Sequence, residues 1–123
     1  MKAKRTILLV DDERAIHKVL GIRLRISGYD VISALSGQEA LEMVASAKPD
    51  IIVLDVIMPG VDGFEVLQKL RSYSQLPVIV FSARSDNAAK ALELGANDFL
   101  TKPFIPDELV KKIQAILGFY PIF

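Results

Sequence analysis

Ile51-Ile52-Val53-Leu54-Asp55, followed by Val56-Ile57-Met58-Pro59-Gly60, is the stretch that decides the fold. Four apolar residues, mostly β-branched, run straight into a carboxylate. A run that is apolar at every position, not at alternate ones, reads as a strand buried on both faces. Such strands belong to parallel sheets covered by helices. Pro59 and Gly60 break strand structure, so Asp55 stands where the strand gives way to a loop. In open α/β sheets ligands bind at that carboxyl end. The weight of Asp55 therefore depends on what the other strands bring to the same edge.

Working outward, Ile7-Leu8-Leu9-Val10 is a second run of this kind, ending in Asp11-Asp12-Glu13. Acids there suit the positive end of a helix dipole. The spacing predicts a helix over about 14–27, with Ile16, Leu20 and Leu24 on one side and Val19, Ile22 and Ile26 widening the apolar stripe. Gly28 stops it from the C′ position. Asp30 to Leu35 reads as a strand. Ser36 can cap the next helix, with Glu39 completing a capping box; Leu41, Val44 and Ala45 form its buried stripe, and Pro49 closes it.

Beyond the central run, Gly63 opens a helix with Phe64, Leu67 and Leu70 on one face. Pro77 to Phe81 is another apolar strand, ending at Ser82-Ala83. A short alanine-rich helix over about 87–94 stops at Gly95. Asp98 to Thr101 is a brief strand ending at Lys102-Pro103. Pro106 sits in the first turn of the last helix, where its missing N–H costs nothing; Leu109, Val110, Ile113, Ile116 and Leu117 are its apolar face. A strand–helix pair repeated five times, with short connections, implies a parallel sheet with helices on both faces. Residues 118–123 do not fit the pattern and read as a tail or the start of a linker.

The bulk numbers agree with one domain: 123 residues, 51% hydrophobic and 24% charged. Lys+Arg and Asp+Glu are 15 each, so the charge is balanced, which argues against direct nucleic-acid or acidic-membrane binding. Without cysteine there are no disulfides, thiolate metal sites or cysteine nucleophiles. No apolar run approaches a membrane span, so a soluble cytoplasmic protein is expected.

Parallel strands place all their carboxyl ends on one side. The first delivers Asp11 and Asp12, the third Asp55, the fourth Ser82 and the fifth Lys102. Carboxylates gathered there repel, and each raises the others' pKa. A hard divalent cation relieves that repulsion, and oxygen ligands without His or Cys suit Mg²⁺. A metal, a lysine and a hydroxyl around one carboxylate would stabilise a transferring phosphoryl group by charge and position. Asp55 would be the nucleophile and would form an acyl phosphate.

With these residues in place, the chain resembles the receiver domains of two-component response regulators from about Thr6 to Leu117. The matching pieces are Val10-Asp11-Asp12, Asp55 to Gly63, Ser82-Ala83, and Phe99-Leu100-Thr101-Lys102-Pro103-Phe104. The resemblance implies a three-layer, flavodoxin-like α/β sandwich of five parallel strands in order 2-1-3-4-5, and a phosphorylation-controlled switch, not a metabolic enzyme. It implies that Asp55 takes a phosphoryl group from a sensor histidine kinase or phosphotransfer protein. Asp12 and Asp55 would bind Mg²⁺ directly, with the backbone carbonyl of Ile57, and Asp11 through water. Lys102 would pair with the phosphoryl group, and Ser82 would donate to it with help from the Ala83 N–H. Phe99 would turn inward as Ser82 moves, changing the surface of helix four, strand five and helix five for an output domain or downstream protein. A cis Lys102–Pro103 bond is implied too. Ser82 and Phe99 stand where Thr and Tyr are commoner, so the ring at 99 brings no hydroxyl.

Each residue also has a plainer reading. The acids at 11–13 can be dipole partners of a helix, Ser82 a turn hydroxyl, Phe99 core packing, and Asp62-Gly63 a turn and helix start. His17 is expected on the surface, away from the strand ends. Lys90, Asp98, Glu108 and Lys112 read as a solvated face, with a phosphorylation-dependent homodimer as the alternative. A phosphatase of the haloacid-dehalogenase class is the rival enzyme. It needs a second acid two residues after the nucleophile, where this chain has Ile57.

Overall fold

The structure, a computed structural model, describes residues 4–60 and 62–118. The expectation for the tail over 119–123 lies outside the described residues, as does Val61. Ten elements alternate in order: β1 Thr6–Val10, α1 Arg14–Ile26, β2 Asp30–Ala34, α2 Gly37–Ala47, β3 Ile51–Asp55, α3 Gly63–Arg71, β4 Val78–Ser82, α4 Asn87–Glu93, β5 Asp98–Thr101 and α5 Pro106–Leu117. All pairings are parallel, and the five strands lie in the order β2-β1-β3-β4-β5, as expected. No helix among the described residues is long and apolar enough to cross a membrane.

Side chains alternate between the two faces of each strand, and this divides the interior in two. Leu8, Val10, Ile52, Leu54, Val78 and Val80 pack with Ala40, Leu67, Leu70 and Ala91 under α2, α3 and α4. Ile7, Leu9, Ile51, Val53, Ile79 and Phe81 pack with Leu20, Leu24, Leu109 and Ile113 under α1 and α5. β1, β3 and β4 serve both layers, which is why they are apolar at nearly every position. Burying each such Leu, Ile or Phe side chain contributes about 1.5–3 kcal/mol.

The helix punctuation follows the sequence. Ser36 Oγ accepts from Glu39 N at 3.1 Å, and Asp62 Oδ1 accepts from Glu65 N at 3.0 Å. Gly28 follows the C-cap Ser27 at φ 99°, and Gly95 follows Leu94 at φ 104°, backbone that glycine adopts without cost. Two expectations fail. Val19, Ile22 and Ile26 are not part of the buried stripe of α1; they are 59%, 53% and 73% exposed. At about 100° per residue they form a second stripe beside the one made by Leu20 and Leu24, and the sheet covers only the latter. In α2, Ala45 is exposed, and Ala40 takes the buried position beside Leu41 and Val44.

The strand order reverses between β1 and β3, since β1 pairs with both β2 and β3. That switch point opens a crevice beyond the carboxyl ends of the two strands. Register fixes what meets there. Val10 faces Leu54, Asp55 faces Phe81, and Ser82 faces Thr101. The residues that follow these positions are therefore set side by side.

Candidate functional site

Asp11 and Asp55 are buried at the sheet edge, 0% and 3% exposed, while Asp12 is exposed. Each of the three offers a carboxylate oxygen, and these oxygens lie within 4.8 Å of one another. Lys102, carried in by β5, sets Nζ 3.0 Å from Asp11 Oδ2 and 3.1 Å from Asp55 Oδ2. Its backbone N–H donates to Ser82 O at 2.8 Å, which ties the β5 end to the β4 end. The same ammonium lies 4.7 Å from the centre of the Phe81 ring, which meets the Phe104 ring edge-on with centroids 5.9 Å apart. The Lys102–Pro103 bond is cis.

The other oxygen of each buried carboxylate accepts from backbone. Asp11 Oδ1 accepts from Glu13 N at 2.9 Å, and Asp55 Oδ1 accepts from Ile57 N at 3.0 Å. Burial raises the Asp55 pKa above the ordinary 3.8; the Ile57 N–H and the Lys102 ammonium oppose this without cancelling it, and the Asp11 charge adds to it. For Lys102, burial works downward, but the hydrogen bond to Asp11 and the charges of Asp55 and Asp11 prevail, so its pKa lies above the ordinary 10.5. A buried carboxylate that resists ionisation beside two further acids is a place where a cation lowers the energy. The donors are all hard oxygens, a set that fits Mg²⁺.

The other candidates lie around this centre. Ser82 is fully buried, and its Oγ accepts from Arg84 N and from Asn87 Nδ2, both at 3.1 Å, so it is tied to the β4–α4 loop. Ala83 and the Ile57 side chain are exposed at the rim. Beside them lies an open recess of about 440 Å³ lined by Ile57, Met58, Arg84, Asn87 and Lys90, among others. Phe99 is half-buried and packs against the layer under α2, α3 and α4. Asp62 is a helix cap, as its plainer reading expected. Of the charges on the α5 side, Lys112 pairs with Asp98 at 3.1 Å within the chain.

The expectation for His17 is wrong. It is half-buried, and its Nε2 lies 2.7 Å from the Asp11 backbone oxygen. Helix side chains lean toward the N-terminus, so a ring at the fourth residue of α1 reaches back over the loop. That lean was the available signal. Nothing in the order of residues marked Asn87 as the partner of Ser82.

The family model described as the response regulator receiver domain matches residues 7–114. The chain is 47% identical over 116 residues to the "Probable transcriptional regulator ycf27" of Porphyridium aerugineum, covering 93% of this chain and 48% of that protein. It thus spans about half the length of the curated relatives it matches. Among solved structures, the receiver domain of the Francisella response regulator 1452 is 34% identical, with TM-score 0.87, over 92% of this chain and 96% of that one. The response regulator protein TrrA of Thermotoga maritima, solved in complex with Mg(2+)-BeF, is 33% identical, with TM-score 0.85, over 91% and 98%. The chain therefore belongs to the receiver domains of two-component response regulators.

Proposed function

We propose that this domain is a phosphoacceptor switch and that Asp55 is its acceptor. The observation that carries the reading is the buried Asp55 carboxylate, with Lys102 Nζ at 3.1 Å and oxygens of Asp11 and Asp12 within 4.8 Å. An Asp55 oxygen attacks the phosphorus of a phosphohistidine on a sensor kinase or phosphotransfer protein. The P–N bond breaks, and its electron pair stays on the imidazole nitrogen. Lys102 offsets charge on the phosphoryl oxygens. Ser82 donates its hydroxyl hydrogen to one of them, with the Ala83 N–H beside it. Asp12, Asp55 and the Ile57 carbonyl would hold Mg²⁺, with Asp11 acting through water. When bound, the ion neutralises the acids and the incoming phosphoryl oxygens.

The new charge then biases a two-state element. Ser82 moves toward the phosphoryl group, Phe99 turns inward into the space released, and the surface of α4, β5 and α5 changes for an output partner. The curated relatives are about twice as long and are named as transcriptional regulators, so the partner we propose is an output domain or a downstream protein. The domain is regulatory and cytoplasmic, and a phosphorylation-dependent homodimer is a further outcome to test by sizing. Incubation with Mg²⁺ and a small acyl-phosphate donor tests the reading. It expects a mass gain of one phosphoryl group that Asp55→Asn abolishes. No gain would instead favour an interaction module that never carries phosphate.

A further inference from the structure

We propose that His17 is a positioning residue for the acidic loop: it locks the Asp11–Asp12 peptide plane and thereby sets where the Asp12 carboxylate stands. The inference rests on the metal reading of Asp11 and Asp12 above.

The carbonyl oxygen of Asp11, 2.7 Å from Nε2, can only accept, so His17 donates from Nε2–H. Nδ1 is buried and has no hydrogen-bond partner among the described residues. An apolar side chain of similar size would fill this space without burying an unpartnered nitrogen. The contact with the Asp11 oxygen is therefore what distinguishes histidine from packing at this position.

That contact acts on the metal side of the site. Asp11 is held at every other polar atom: its N–H donates to Ala34 O at 3.2 Å, Oδ1 accepts from Glu13 N, and Oδ2 accepts from Lys102. The Asp11 oxygen and the Asp12 nitrogen share one planar peptide unit, so holding the oxygen fixes the direction in which Asp12 leaves the chain. Asp12 is the exposed member of the three acids, so its placement depends most on its backbone. The α1 N-cap, Glu13, makes no side-chain capping bond, so His17 is the side chain of α1 that reaches back across the helix entry.

Titration with Mg²⁺ alone, followed by calorimetry and by amide shifts of residues 11–13, tests this on the intact chain. Melts in EDTA report folding separately. His17→Ala is expected to weaken Mg²⁺ binding about ten-fold, the lower end for residues that orient metal ligands. His17→Gln, whose amide can donate to the same carbonyl, is expected to recover most of it. Should His17→Ala unfold in EDTA, His17→Phe keeps the ring volume without the donor and is expected to show the same loss. Wild-type binding with unchanged affinity in the Ala or Phe variant overturns the positioning role alone, as does a loss that His17→Gln shares in full. Absence of Mg²⁺ binding by the wild type overturns the metal reading and the positioning role together.

Discussion

The Nζ atom of Lys102 lies 3.1 Å from Oδ2 of Asp55, across 47 positions of sequence. The same atom is 3.0 Å from Asp11, 91 positions away, so one ammonium stands against two buried carboxylates. Removing it leaves both acids without their cation, which in buried pairs costs about 3 kcal/mol. Lys102→Met is expected to show that loss in urea unfolding at neutral pH in EDTA, with saturating Mg²⁺ restoring part of it. The raised Lys102 pKa sets the window. The pair's contribution is complete below the ordinary lysine value of 10.5 and fades as pH rises through the higher folded value.

Asp55 should behave in the opposite way. Its folded pKa lies above the ordinary 3.8, chiefly through burial, so the folded chain binds that proton more tightly than the unfolded chain does. Its contribution to stability is present below the unfolded value and is lost as pH rises through the folded one. Once ionised, Asp55 therefore opposes folding relative to its protonated form. Asp55→Asn is expected to raise the melting temperature in EDTA at neutral pH, and the gain should shrink both in acid and with saturating Mg²⁺. A variant that melts below the wild type at neutral pH would contradict this.

Gly63 is constrained by contact. A Cβ there would sit 2.5 Å from both the Asp55 backbone oxygen and Val56 Cα, atoms that cannot move without shifting the end of β3. Gly63→Ala is expected to cost about 2–3 kcal/mol and to displace the amide resonances of Asp55 and Ile57. Gly60 is constrained by conformation instead: φ is +77°, and among the described residues beyond its chain neighbours nothing lies within 4 Å of an added Cβ. Gly60→Ala should cost about 1 kcal/mol and leave those resonances in place.

Asp62 separates an acid that caps from acids that gather at the strand ends. Its Oδ1 accepts from Glu65 N at 3.0 Å. Asp62→Ala is expected to lower stability by about 1 kcal/mol in urea unfolding, with Mg²⁺ affinity unchanged in calorimetry. A large loss of affinity would move Asp62 into the metal site.

What the order of residues determined was everything of short range. The apolar runs at 7–10, 51–54 and 78–81 can be satisfied only between two layers, and their ends name Asp11, Asp12, Asp55 and Ser82, while the brief strand at 98–101 names Lys102. Glycines and caps set the helix limits to within a residue or two, because a left-handed φ or a side-chain cap is a property of a few neighbouring residues. The tertiary structure decided which apolar stripe of α1 the sheet would cover, leaving Val19, Ile22 and Ile26 outside. It also bound Ser82 to Asn87 and turned His17 toward Asp11. Those outcomes follow from helix rotation and strand register, which are set by packing against residues dozens of positions away; of the three, only the His17 contact had a local pointer, the backward lean of helix side chains.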